Sequence, residues 1–283
     1  MPKHVNFNRK GERCQMRRVI FNQKGGVGKS SITCNLAAIA AQLGQRTLVV
    51  DLDVQGNSSY YLGVDIYTDK RRESMDGTVA ELLKQSTGSW FSPAKSAIKF
   101  VQETAFNNLF LMPSSPTLEL IEKELESRYK IYKLRDALKE LDDEFDQIFI
   151  DTPPNFNFYS KSALIASDCV LVPFDCDSFS KQALYNLIGN VIELKQDHNP
   201  KLRLEGIIVN QFNSQANLPK KLIDEMRADQ LPVLNTMLPA SIKMKESHSA
   251  QKPLVYMTPS HRLSQQFLAL YRELEPATTK TEA

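Results

Sequence analysis

The stretch Phe21–Thr33, "FNQKGGVGKSSIT", decides the fold. Before it, the apolar run of Arg17–Asn22 reads as a short buried strand. After it, Ile32, Leu36, Ile39, Ala40 and Leu43 recur at helical spacing and Gly44 stops the pattern. A glycine-rich turn therefore joins a strand directly to a helix. The common phosphate-loop pattern asks for Gly, four free positions and Gly-Lys-Ser/Thr. Gly28, Lys29 and Ser30 supply its end, but Gln23 stands where the first glycine belongs, and Lys24 follows it. Backbone N–H groups of Gly25, Gly26, Val27 and Gly28 can wrap around phosphate oxygens because the glycines clear side chains from the turn. The helix start at Lys29, Ser30 and Ser31 adds unpaired N–H donors and a favourable dipole. Lys29 can reach the β- and γ-phosphates of a nucleotide, and the Ser30 hydroxyl can ligate Mg²⁺.

Working outward, apolar runs and helical stretches alternate. Arg46–Asp51, Leu109–Met112, and segments 146–151, 169–174 and 204–210 read as strands. Helical spacing occupies about 117–142, 158–166, 178–196, 217–228 and 260–274. Continuous β-branched runs bounded by turns mark strands buried on both faces. Their alternation with helices predicts right-handed βαβ units, hence an α/β fold with a mostly parallel twisted sheet and helices on both faces.

A chain of 283 residues can bury a large single core. Its formal net charge of +2 announces no nucleic-acid binder, so any such role needs a local patch. Cys14, Cys34, Cys169 and Cys176 include no CxxC pair, which argues for reduced thiols over a disulfide scaffold or zinc site. The apolar runs fall far short of the roughly 20 residues that span a bilayer. Without the apolar core of a secretory signal, a cytoplasmic protein is expected. Residues 1–16 read as a basic, flexible arm, either an unstructured leader or a nucleic-acid contact, and 276–283 as a polar tail. Through residue 18 the arm region carries six Lys/Arg against one acid, Glu12.

Polar residues cluster at predicted strand ends, where an open parallel sheet forms its binding crevice. "VVDLDVQGNSS" places Asp51 and Asp53 at the end of the second strand, and alternation points both carboxylates the same way. "IFIDTPP" ends another strand with Asp151, a carboxylate that fits an outer or water-mediated Mg²⁺ ligand, after which Pro153 and Pro154 stop the strand. "IIVNQF" ends a third with Asn210, whose amide has the donor and acceptor needed to read an adenine edge.

In order and spacing, "QKGGVGKSS", "DLDVQGN", "IDTPP", "VLVP" and "VN" resemble the ParA/MinD superfamily of deviant Walker-A ATPases. "TVAELL" at 78–83 and "LPASIKMKESHSAQKPLVYMTPS" resemble its ParA/Soj branch, and the likeness covers about 17–275. The resemblance implies a P-loop NTPase-like fold, ATP and Mg²⁺ as cofactors, and slow hydrolysis until a ParB-like or cargo-linked activator stimulates it. It implies an ATP-dependent homodimer with two nucleotides between the subunits, bound without sequence preference to nucleoid DNA. Lys24 then crosses to the partner's phosphates and offsets developing charge, as an arginine finger does. Asp53 orients the attacking water near Mg²⁺, Asp51 and Asp151 match the other metal-side carboxylates, Asn210 reads adenine and Pro239 lies against the base. Catalytic roles therefore fall to Lys24, Lys29 and Asp53, and metal-side roles to Ser30, Asp53 and Asp151.

Two departures stand out. Val54 replaces the family's usual proline, and Gln215 stands where many DNA-binding members carry arginine. Lys220, Lys221, Lys243, Lys245 and Arg262 are the candidate basic face, against ordinary solvated lysines. Two other readings remain. A MinD-like membrane ATPase needs a C-terminal amphipathic helix, yet Phe267, Leu268, Leu270, Tyr271 and Leu274 suit a helix packed on the core. A nitrogenase-reductase-like redox protein needs paired cluster cysteines, which Cys169 and Cys176 do not match.

Overall fold

A computed structural model describes residues 15–66, 76–85, 94–176 and 180–275. Its centre is a seven-stranded sheet in the order β3-β4-β2-β5-β1-β6-β7. β1 (Met16–Ile20), β2 (Thr47–Asp51), β4 (Leu109–Met112), β5 (Gln147–Asp151), β6 (Cys169–Asp175) and β7 (Arg203–Asn210) run parallel. Only the two-residue edge strand β3 (Gln102–Glu103) is antiparallel. Every residue of β2 and β5 is buried, as expected of central strands covered on both faces.

Alternation along the strands sorts apolar side chains into two layers. Val19, Leu48, Val50, Ile148, Ile150, Val170 and Val172 pack with the helices α3 (Val79–Lys84), α4 (Leu118–Ser127), α5 (Lys133–Lys139), α6 (Phe158–Ala166) and α7 (Ser180–His198). Ile20, Val49, Phe149, Leu171 and Ile208 face the opposite layer of α1 (Lys29–Gln42), α10 (Leu254–Met257) and α11 (Arg262–Leu274). α1 is buried nearly all round, because sheet and C-terminal helices enclose it. Parallel register sets Asp51 beside Asp151, and Ile20 beside Asp151 on the other side. The ends of β2 and β5 and the loop after β1 therefore meet at one place.

The long helix predicted over 117–142 is broken. Tyr129 adopts a left-handed φ of 53°, which stops α4; a 3-10 turn at Lys130–Tyr132 then leads into α5. α2 (Asn57–Tyr61), α3, α9 (Ile242–Ser249), α10 and β3 escaped periodicity, being too short to display a period, whereas α8 (Asn217–Ala228) was legible. β1 begins one residue early, at Met16, with Gln15 anchored on the carbonyls of Leu141 and Phe145. Two of the six N-terminal cations belong to the fold. Arg17 pairs with Asp142, and buried Arg18 with Glu205. The rest of the arm, with Cys14, and the 276–283 tail lie outside the described residues.

Candidate nucleotide site

The loop from Phe21 leads to α1, whose N-cap is Gly28 with φ 91° and no side-chain cap. Two constraints make glycine necessary there. The backbone is left-handed, and a Cβ would run into the amide nitrogen of Asn210. The uncapped helix start leaves its first-turn N–H groups available to an anion. A cavity of about 350 Å³ lies over this start, lined by Gly25, Gly26, Gly28, Lys29, Ser30, Ser31, Asp53, Gln55, Asn57, Pro154 and His248. Lys29 is buried, and its Nζ donates to the carbonyl of Lys24 at 3.0 Å. Burial lowers its pKa, opposed by Asp151 and Asp53.

The three carboxylates do different work. Asp51 is committed to its own chain: Oδ1 accepts from the Asp53 amide, and Oδ2 from the amide and hydroxyl of Ser59. It braces the turn rather than lining the cavity. Asp53 lies beyond β2, so turn geometry rather than strand alternation aims it. Its Oδ1 accepts from the Gln55 amide, its carbonyl accepts from Gly56 N and the Ser114 hydroxyl, and it is 7% exposed at the cavity wall. These bonds close the Asp53–Gly56 turn without the family's proline, and Val54 packs against the core. Asp151 Oδ2 accepts from Ser58 at 2.7 Å, while buried Oδ1 has no hydrogen-bond partner among the described residues.

Burial holds all three carboxyls above their usual range, and Asp151 adds to the shift of Asp51. Asp151 is pushed up to about 6, mainly by burial; the nearby Ser30 and Ser58 hydroxyls oppose it, Asp53 adds to it and Lys29 subtracts. A carboxyl that binds its proton more tightly folded than unfolded costs stability as pH rises from about 4 to about 6, and the full cost persists above that window. Asp151→Asn keeps an acceptor for Ser58 and removes the buried charge. In protein free of nucleotide and magnesium it should gain about 1–2 kcal/mol at pH 7.5 and lose the gain near pH 4. Thermal unfolding at both pH values checks this; an unchanged or lower Tm at pH 7.5 refutes it.

On the other side of the loop a cavity of about 520 Å³ is lined by Ile32, Pro239, Ile242, Met244, Leu263 and Phe267, with Ser31, Asn210, Gln211, Ser241 and Lys245 as its polar groups. Apolar walls with a few polar groups suit a planar base. Asn210 ends β7, and its amide nitrogen donates to the Val27 carbonyl at 2.9 Å. Gln211, at φ 54°, donates to the Gly26 carbonyl at 3.1 Å. Both side chains thus hold the glycine loop from the side of this cavity. Sequence reading found Asn210 and Pro239 but not Gln211, Ser241 or His248, which carry no local pattern.

Lys24 is absent from the lining of its own phosphate cavity. It is 43% exposed and pairs with Asp175, the last residue of β6, at 2.6 Å. The candidate surface cations do not behave alike. Lys220 and Lys221 are exposed on α8, with Lys221 4.0 Å from Glu225. Lys243 pairs with Glu246 at 2.6 Å, and Lys245 sits at the base cavity. Arg262, exposed at the start of α11, shares an open cleft of about 640 Å³ with Gln215. Cys34 and Cys169 are buried and Cys176 is half-buried.

The donor set fits magnesium carried by a nucleotide. Among the described residues no group of three or more His, Cys, Asp or Glu is placed to hold a metal alone. Mg²⁺ needs no such cage, because it keeps waters and shares one or two protein oxygens with phosphates. Asp151 Oδ1, without a hydrogen-bond partner among the described residues, and the buried Asp53 carboxylate at the cavity wall fit the one or two protein oxygens that such an ion shares.

Comparison with known proteins agrees with this geometry. The family described as "AAA domain" matches residues 17–204. The chromosome partitioning protein ParA of Myxococcus xanthus is 34% identical over 257 residues, 90% of this chain and 86% of that protein. The sporulation initiation inhibitor protein Soj of Bacillus subtilis is 30% identical over 260 residues, 90% of this chain and 96% of that protein. Among solved structures, cobyrinic acid a,c-diamide synthase of Mycobacterium smegmatis, with a bound ATP analogue and magnesium, superposes with a TM-score of 0.71 at 25% identity, covering 88% of this chain and 98% of that one. With a variant phosphate loop at the head of α1, acidic residues at the ends of β2 and β5, and similarity to ParA and Soj over 90% of its length, this chain belongs to the ParA/Soj family of deviant Walker-A ATPases, ATP-hydrolysing enzymes of partitioning.

Proposed function

We propose that this chain is a DNA-based positioning ATPase. ATP–Mg²⁺ binds at the Gly25–Ser31 loop, two ATP-loaded subunits close face to face, and the dimer holds nucleoid DNA in the cytoplasm. A ParB-like or cargo-linked activator then stimulates hydrolysis and release. The observation that carries this reading is the placement of Lys24. It stands outside its own phosphate cavity, half-exposed on an ion pair with Asp175. An exposed pair contributes only about 0–1 kcal/mol, so a partner's triphosphate can draw the lysine away at small cost. Within one subunit, Lys29 and the α1 N-terminus hold the phosphates and Ser30 and Asp151 face the metal. Asp53 orients water, and Asn210 and Pro239 hold the base. A nucleotide held there would supply the triphosphate, and its magnesium the positive charge that offsets the phosphate oxygens.

For DNA, Lys220, Lys221 and Arg262 are the better candidates, because Glu246 holds Lys243 at 2.6 Å, against 4.0 Å between Lys221 and Glu225, and Lys245 lines the base cavity. Arg262 beside Gln215 offers a cation where the sequence lacks arginine. Contacts of this kind go to phosphates, so binding should ignore sequence and weaken at least tenfold between about 50 and 200 mM salt. Retention on random-sequence duplex DNA with ATP and Mg²⁺, lost in Lys29→Ala, is the expected result; no retention at low salt removes the DNA reading. The membrane alternative has less support. No described helix is long and apolar enough to cross a membrane, and α11 buries Phe267, Leu270, Tyr271 and Leu274 in the fold rather than offering them to lipid. Co-sedimentation with anionic liposomes in ATP would revive it.

A further inference from the structure

We propose that His248 is a positioning residue of the nucleotide site, which orients the Ser31 hydroxyl so that its proton points into the cleft. The proposal rests on the reading of Gly25–Ser31 as the phosphate cradle. His248 lies near the end of α9, and its Nε2 is 2.8 Å from Ser31 Oγ. Ser31 lines both the phosphate cavity and the base cavity, so it sits at their junction. A nucleotide that fills both must pass its hydroxyl.

The imidazole is held by Tyr61 on one face and by Ser31 at Nε2. It stacks on Tyr61 with ring centroids 3.9 Å apart and planes 16° from parallel. Tyr61 is fully buried, and its hydroxyl bonds Ser247 and the Asn35 amide nitrogen. The same Asn35 amide nitrogen donates to the Ser31 carbonyl at 2.8 Å, and Asn35 Oδ1 accepts from the Leu254 amide at 2.9 Å. Ser31 is thereby gripped at its carbonyl by Asn35 and at its hydroxyl by His248. Tyr61 also belongs to α2, whose Ser58 and Ser59 hold Asp151 and Asp51.

A serine hydroxyl is one donor with two lone pairs, and by itself it rotates. If Ser31 donates to the ring, its lone pairs face the cleft and repel an anion. If Nε2–H donates to Ser31 Oγ, the serine proton is left for a phosphate oxygen. Burial lowers the His248 pKa and favours a neutral ring, which carries a single proton. A bound anion therefore selects the Nε2–H tautomer, and a ring already clamped by Tyr61 presents it without further ordering. None of this is visible in sequence, where His248 is an isolated histidine in a polar helix.

The test measures MgATP affinity by titration calorimetry and turnover at saturating ATP, using full-length chains. His248→Phe keeps a ring for Tyr61 and removes the nitrogen. It should weaken MgATP binding about 5- to 10-fold, the effect of one hydrogen bond, and raise the KM for MgATP by more than it lowers kcat. Ser31→Ala should match it, and the double variant should be no worse than either single one. His248→Gln, which retains a donor, should recover most of the affinity. Unchanged affinity in His248→Phe with a lowered Tm, or additive losses in the double variant, overturns the proposal. Lys29→Ala separates the two readings: if it binds MgATP normally the phosphate cradle is misassigned, whereas if it alone loses binding only the role of His248 fails.

Discussion

Lys24→Ala abolishes ATP-dependent dimerisation and leaves ATP binding by the monomer within about threefold: this is the expected outcome of light scattering on size-exclusion peaks with MgATP, paired with titration calorimetry. The side chain lines no part of its own phosphate cavity, so its loss removes no contact the isolated subunit needs there. Between two subunits it would meet a triphosphate in a water-poor interface. Truncating one member of such a charge pair costs about 2–5 kcal/mol, enough to weaken the dimer about 30-fold to several-thousand-fold. Without ATP, the cations of two facing subunits repel, so the same residue makes association conditional on nucleotide. Equal loss of monomer binding and dimerisation would mean that Lys24 serves only its own loop.

Asp53→Ala is expected to reduce hydrolysis about 10²- to 10⁴-fold, the usual contribution of a well-placed base or water-orienting carboxylate, while ATP is still bound. Asp53 is the carboxylate that reaches the cavity wall; Asp51 is spent on Ser59 and the Asp53 amide. Because Asp53 also accepts from the Gln55 amide, Asp53→Asn serves as the control that keeps the turn closed. Both variants should accumulate the ATP-bound dimer, and a pull-down with either should enrich the activator over wild type. Residual turnover above about one tenth in both would move the water-orienting role elsewhere, with Gln55 and Asn57 next in the lining.

The phosphate loop was legible because its chemistry is local. Strand, glycines, lysine and helix are contiguous, and the structure keeps them in that order from β1 to α1. Asp151 and Asn210 were legible because both end apolar runs, and a parallel sheet gathers strand ends on one edge. The long helix over 117–142 misled because nothing local marks Tyr129 as left-handed; the 3-10 turn after it is held from α6, where the Ser162 hydroxyl donates to the Ile131 carbonyl at 3.0 Å. Asp51 and Asp53 looked equivalent two residues apart. They differ because β2 ends between them, leaving one carboxylate under the turn and the other at its rim.

What the sequence by itself determined is the set of chemical parts and their order: a variant phosphate loop, acids at strand ends, an amide at the end of a further strand, and one lysine in excess. Those follow from residue type, spacing and the covalent continuity of strand, turn and helix. Only tertiary structure decided which parts face one another. The β2–β5 register puts Asp51 against Asp151 and raises both carboxyls by burial. The end of β6 places Asp175 under Lys24 and keeps the lysine outside its own cavity. The return of α9 brings His248 onto Ser31, 217 positions away along the chain. Contacts at such separations depend on sheet order and helix packing, and no local period in the residues encodes them.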